Sequence, residues 1–305
     1  MQQRAVQVSL NPNPPLRGET LVDPHGRHFP MSNDPFIAVE LHDYPLGNYT
    51  ITMTKPLRLE HHAHVDSSFR TVYFLDDRLA DPAIRNVSLR ILGPGVDESV
   101  VEDIRVHMIR GTIRDLTGRP RQAYAWQALN RPIERSTVVR SDKQGRYMIY
   151  LPEGKRTRLF INDVSYGSSS LETWVMARGL RRDATIDPRI GGGFEFYEFN
   201  AWQFDGIWNL FFLPAVVDAK IPPVMRREDV TVSIDGHPAA VTQFTRHRVL
   251  YKGKAKKAWY PAYVLSVVPR KTTENVLHQA VIRIRTDSRR LGKGEAWFVH
   301  DRTTD

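Results

Sequence analysis

Short runs of alternating apolar and polar residues, each closed by turn-forming residues, recur along most of the chain. Nowhere does an apolar repeat of helical period persist. Val87-Ser88-Leu89-Arg90-Ile91-Leu92 alternates cleanly and stops at Gly93-Pro94-Gly95. Successive side chains of a strand point to opposite faces, so such a run offers one face to a core and one to water. Phe36 to Leu41, Tyr49 to Met53 and Thr71 to Leu75 are further short runs rich in β-branched and aromatic residues. Only Asp97 to Asp103 reads as a short helical turn. The pattern predicts an all-β chain, and 305 residues are enough for two or three β-sandwich domains in tandem.

An apolar fraction of 41% and an aromatic fraction of 10% suffice for packed cores and exclude global disorder. No apolar run is long enough to cross a bilayer as a helix, so membrane insertion is not expected. The opening MQQRAVQVSLNPNPP lacks the charged head, apolar middle and cleavage site of a secretory signal. Cytoplasmic synthesis is therefore expected. The absence of cysteine removes disulfides, thiol nucleophiles and thiolate-held metals. No cofactor motif is present, and none is expected to bind. Pro12, Pro14, Pro15, Pro24, Pro30 and Pro35 punctuate the first stretch, which reads as an extended arm ahead of a β domain ending near residue 104.

The middle of the chain carries a recognisable pattern. Gly111-Thr112-Ile113-Arg114-Asp115-Leu116-Thr117-Gly118-Arg119-Pro120 is followed by Ser141-Asp142-Lys143-Gln144-Gly145-Arg146-Tyr147 and by Leu151-Pro152-Glu153-Gly154. Asp115 to Gly118 and Asp142 to Gly145 read as tight turns in which glycine tolerates positive φ. This pattern resembles the carboxypeptidase regulatory-like, or transthyretin-like, sandwich family over residues 106–176. Lys155 and Arg156 stand where that family often has an aromatic residue. The resemblance implies a structural and recognition module and no reaction. The expected organisation is an arm and β domain over 1–104, the regulatory-like sandwich over 105–180, aromatic connecting strands over 181–223, and a basic immunoglobulin-like β domain over 224–305.

Three constellations invite chemistry. His62 and His64 stand two apart on one strand face, the placement two metal ligands need. Glu195 and Glu198 lie among aromatics, where a carboxyl with a raised pKa could act as acid or base. In the same segment Trp202, Phe204 and Trp208 could line a ligand cavity, and Trp208 to Leu213 reads as a strand apolar on both faces.

The excess charge is concentrated at one end. From Lys220 to Asp305 there are 17 Lys and Arg against 8 Asp and Glu, which accounts for the whole net charge of +9. Arg246, Arg248, Lys252, Lys254, Lys256 and Lys257, interleaved with Tyr251, Trp259 and Tyr260, form a candidate partner-binding hairpin for an acidic surface or a nucleic acid.

The sequence therefore predicts a non-catalytic structural or interaction protein, with protein partners or a homo-oligomer, working in an assembly such as a phage virion or tail. Two alternatives stand beside it. One is a cyclase, isomerase or hydrolase with an aromatic-lined pocket near residues 194–212, and the other is a carbohydrate or small-ligand binding module.

Overall fold

The computed structural model describes residues 4–16, 19–22, 28–31, 34–127, 137–153, 157–163, 165–166, 169–217, 224–252, 257–271, 275, 277–284 and 291–301. The chain is all-β. Among the described residues there is no α-helix, only two single 3-10 turns at Asp77–Leu79 and Arg227–Asp229.

In chain order the strands begin with β1 (Ala5–Asn11), β2 (Glu19–Val22), β3 (His28–Met31), β4 (Phe36–His42), β5 (Gly47–Lys55), β6 (Leu59–Val65), β7 (Phe69–Leu75), β8 (Asn86–Gly93) and β9 (Val96–Asp103). There follow β10 (Val106–Thr112), β11 (Arg114–Asp115), β12 (Tyr124–Gln127), β13 (Thr137–Arg140), β14 (Arg146–Pro152), β15 (Thr157–Asn162), β16 (Thr173–Arg178), β17 (Ala184–Thr185) and β18 (Arg189–Ile190). The last are β19 (Phe194–Phe204), β20 (Ile207–Val216), β21 (Val230–Ile234), β22 (His237–Lys252), β23 (Lys257–Pro269), β24 (Leu277–Ile284) and β25 (Glu295–Asp301). They form two compact units. One comprises Met1–Glu19, Met31–Met108 and Tyr150–Glu153; the other comprises Thr20–Pro30, Ile109–Ile149 and Gly154–Asp305.

The first unit is a sandwich of two antiparallel sheets, ordered β1-β4-β7 and β6-β5-β8-β9. Alternation builds its core. Tyr49, Ile51 and Met53 are buried while Thr50, Thr52 and Thr54 face outward, and Val87, Leu89 and Ile91 of β8 repeat the pattern. Asp97 to Asp103 is a strand, not a helical turn, because Pro94-Gly95 closes a hairpin in which Gly93 faces Val96. Gly95, at φ 66°, supplies the left-handed conformation that turn needs. The Pro-rich opening contributes β1, and beyond it the buried Asn13 amide stands in for a strand. Its Nδ2 donates to the Tyr150 carbonyl at 3.0 Å, and its Oδ1 accepts from the Tyr150 N–H at 2.8 Å.

The second unit is organised by an 11-stranded sheet, ordered β13-β12-β15-β16-β25-β24-β21-β22-β23-β20-β19. Strands from 105–180 and from 224–305 meet in it through the parallel pair β16/β25, where Trp174 faces Ala296 and Arg178 faces His300. The sheet turns a corner at the two-residue hairpin Asp235-Gly236 between β21 and β22. Beyond that corner β23, β20 and β19 fold back over β16, β25 and β24, as the ring pairs Trp174–Tyr197 at 5.4 Å and Trp208–Phe298 at 5.5 Å show. Along β20 the two faces differ. Trp208, Leu210 and Phe212 are buried between the layers, whereas Ile207, Asn209 and Phe211 are partly open. That face is open from Ile207 to Phe211 and closes at the buried Leu213, so the strand is covered on both faces only at its far end, where its composition suggests burial throughout.

Both Asp–Gly turns read from the sequence are present. Gly118 N–H donates to Asp115 O at 3.0 Å, and Gly145 N–H donates to Asp142 O at 2.9 Å. Each aspartate also accepts from the backbone two residues on, holding the turn from inside. The second turn docks on the strand leading to the first: Ile113 N–H donates to Gly145 O at 2.8 Å, and a Cβ on Gly145 would lie 2.3 Å from Ile113 O. Gly145 also sits at φ +74°, so two independent constraints require glycine. Gly118 has φ +88° but open space around it. Gly145→Ala is therefore expected to lower stability by about 3 kcal/mol and Gly118→Ala by about 1 kcal/mol, read from urea midpoints. Equal losses would show that the docking contributes nothing.

Candidate functional site

The end of the second unit's sandwich holds a cavity of about 270 Å³ where two type I′-like turns meet. One turn is Asp205-Gly206, with φ values of 48° and 72°, joining β19 to β20. The other is Asp235-Gly236, with φ values of 51° and 78°, at the sheet corner. Asp-Gly is favoured in such hairpins because both central positions need positive φ. Trp208 lines the cavity from one layer; Ile234, Asp235 and His278 line it from the other.

Asp235 is fixed by both oxygens. Its Oδ1 accepts the Gln279 N–H at 2.8 Å, and its Oδ2 lies 2.6 Å from His278 Nδ1. A carboxylate only accepts, so the proton between them sits on Nδ1. The imidazole meets the Trp208 indole edge-on at 5.9 Å. Across the β24/β25 ladder His278 faces His300, whose Nδ1 lies 3.3 Å from Gln203 Oε1. Sequence reasoning missed this group. An Asp-Gly pair is itself a hairpin signal, but only the strand register brings His278 to Asp235 and beside His300.

The aromatic segment divides between two faces. Trp208 points inward to the cavity. Trp202 and Phe204 project from the outer face of β19, 37% and 76% exposed, with Phe204 opposite Ile207. These three aromatics therefore do not line one pocket.

Glu195 and Glu198 are also separated. Glu195 is buried at 2% exposure; its Oε1 accepts the Trp174 indole N–H at 2.7 Å, and its carboxylate accepts the Glu172 backbone N–H. The Glu172 side chain is buried beside it, and Glu172 Oε2 has no hydrogen-bond partner among the described residues. Desolvation pushes the Glu195 carboxyl up to about 8, and desolvation together with the Glu195 charge raises Glu172. Glu198 occupies the bulge of β19 at φ 52° and pairs with Arg158 at 3.2 Å. That guanidinium also lies 5.8 Å from the centre of the Trp174 ring. The two glutamates occupy different environments, one sealed and one ion-paired.

In the basic hairpin, β22 and β23 stay paired from Ala239 opposite Pro269 out to Lys252 opposite Lys257, while β20 flanks β23 only at Tyr263 to Val267. The outer half is thus a two-stranded ribbon. Arg248 is exposed on it and Arg246 at its base, opposite Tyr263, both in phase with Leu250 and with Trp259 opposite Leu250. Arg248 lies over the Trp259 ring at 5.6 Å. For Lys252 and Lys257 the backbone register alone is described, and Lys254 and Lys256 lie outside the described residues.

In the first unit, His62 and His64 share the outer face of β6. Each Nδ1 meets the residue directly across the ladder: Thr50 Oγ1 at 3.1 Å and Asn48 Oδ1 at 2.8 Å. Glu60 lies 3.4 Å from His62 Nε2. Among the described residues no set of three His, Asp or Glu side chains assembles as a metal site.

No family model matches the chain, and no curated protein matches it. Among solved structures it is similar to a putative carbohydrate binding protein from Bacteroides uniformis, at 9% identity and TM-score 0.24, covering 64% of this chain and 98% of that one. A DUF3823 family protein from Parabacteroides merdae gives 10% identity and TM-score 0.22, covering 64% and 100%. Invasin, a bacterial integrin-binding protein, gives 10% identity and TM-score 0.19, covering 98% and 60%. Likenesses this remote assign no function.

The sealed glutamate makes stability depend on pH. With its folded pKa near 8 and an unfolded value near the ordinary carboxylate range, Glu195 binds more proton in the folded state. Its contribution is therefore greatest below the unfolded value and is lost as pH rises towards 8, by up to about 1.4 kcal/mol per unit. Glu195→Gln is expected to reduce the fall of the urea midpoint between pH 5 and pH 8, with the buried Glu172 carboxyl carrying what slope remains, and to be the more stable form at the upper end. A variant with the wild-type slope would place the titrating group elsewhere.

Proposed function

We propose that this protein is an interaction protein built on β-sandwiches, whose hairpin ribbon β22–β23 docks an acidic protein partner. The carrying observation is the ribbon itself. A two-stranded hairpin is marginal in water unless it packs against something. This one nevertheless extends past its sheet with Leu250 42% and Trp259 60% exposed on the face that carries Arg246 and Arg248. Tryptophan and arginine are the residues that most often dominate protein interfaces, and desolvating an exposed Trp–Arg pair by a complementary surface gains apolar burial and charge pairing together. Leu250 offers nothing to a phosphate backbone, which favours a protein over a nucleic acid. The charge excess after residue 220 favours an acidic one. The resemblance of residues 106–176 to a recognition module agrees with this role, and a larger assembly, of which a virion is one kind, is where such an arm would act.

The test uses the full chain and an Arg246→Glu/Arg248→Glu variant to capture partners from the native host at low and high salt. The captured protein is then purified and recombined with each form. An acidic protein that binds the wild type and loses about tenfold or more in affinity to the variant, with the melting temperature unchanged, is the expected result. Equal binding by both forms, or capture that nuclease treatment abolishes, would overturn the reading.

A further inference from the structure

We infer that the cavity between the Asp205-Gly206 and Asp235-Gly236 turns is a binding site for a neutral, polyhydroxylated ligand of about one pyranose ring, such as a terminal monosaccharide unit. The volume sets the size. About 270 Å³ lies just under the range that holds drug-sized ligands, so the hollow takes one ring and not an extended chain.

The lining sets the chemistry. Trp208 and Ile234 provide apolar wall, while Gln203, Asp205, Asp235, Lys271 and His278 bring polar groups to the same space. Asp205, Asp235 and the Gln203 carbonyl can accept; Lys271 and the Gln203 amide can donate. A hydroxyl does both, so a ring bearing several of them can satisfy acceptors and donors at once. The lining mixes signs, Asp205 and Asp235 against Lys271, so a charged ligand meets a like charge whichever sign it carries, while a neutral ring of hydroxyls can pair with all three.

One wall of the site is also fixed in advance. The Asp235 and His278 side chains are each 4% exposed, and Asp235 is held by the Gln279 backbone and the imidazole, so these groups are oriented before a ligand arrives. Both turns belong to the same compact unit, one on each layer of its sandwich, and the hairpin register fixes their residues. The ribbon residues Arg246 and Arg248 are not among the cavity's lining residues, so this inference stands independently of the docking surface.

Saturation-transfer NMR on the full chain would test it, with a panel of methyl glycosides of common hexoses and N-acetylhexosamines, myo-inositol, inorganic phosphate and ethylammonium as probes. At least one neutral polyol is expected to bind saturably, with a dissociation constant in the millimolar range. Asp205→Asn, which keeps a residue tolerant of positive φ, and Lys271→Ala, at an exposed position, should each weaken that binding about tenfold. Both variants should retain the wild-type melting temperature, and Arg246→Glu/Arg248→Glu should bind the polyol as the wild type does. No saturable binding by any neutral polyol, binding indifferent to both cavity variants, or preferential binding of phosphate or ethylammonium would overturn the assignment.

Discussion

The parallel pairing of β16 with β25 is the interaction on which the second unit depends. It joins residues more than a hundred positions apart, so the chain must bring its final strand back beside Trp174 to Arg178 before the long sheet exists. Once β25 is in place, β24 pairs with it, β21 with β24, and the corner hairpin sends β22 and β23 away to form the second layer. Parallel pairs form only through long crossovers and are slow to assemble, since loop-closure entropy must be met before the contact repays it. Here the intervening chain supplies the opposing layer, so the crossover itself covers the sheet.

That closure places several carboxylates where water cannot reach them, and the structure treats them unequally. Glu295 accepts from the Arg189 backbone, the Trp297 indole and the Arg283 guanidinium, each at 2.7 Å. Asp301, at 0% exposure, is held by the Arg182 guanidinium and the Arg181 backbone. Charge-assisted bonds of this kind offset the desolvation of an ionised group. Glu172 and Glu195 pair with no arginine among the described residues and share the Trp174 indole, so neutralisation by a proton is the cheaper solution there. The same fold thus pairs the buried acids of β25 with arginines and seals a carboxyl pair beside β19 without one among the described residues.

The two regions proposed for binding lie where local order and sheet order part. At the corner, Asp235 and His278 meet because β21 and β24 pair in a fixed register, with Ile234 opposite Ala280. On the ribbon, Leu250 and Trp259 are exposed because β22 and β23 outrun the strands that flank them. The arm, with its uncovered aromatic, leaves burial of its surface to something else.

Elements that rest on near neighbours were legible in the residues alone. Alternation is a local property, so Phe36 to Leu41, Tyr49 to Met53 and Val87 to Leu92 announce strands, and Asp115 to Gly118 and Asp142 to Gly145 announce turns whose hydrogen bonds span only a few residues. Asp97 to Asp103 escaped that reading because its sense comes from the register with β8. The tertiary structure alone decided which face each aromatic takes, so Trp208 went inward while Trp202 and Phe204 stayed out. It alone sealed Glu195 against Trp174, paired Glu198 with Arg158, and set His278 against Asp235. Those partners are between 21 and 43 residues apart in sequence, and no periodicity carries the register that joins them.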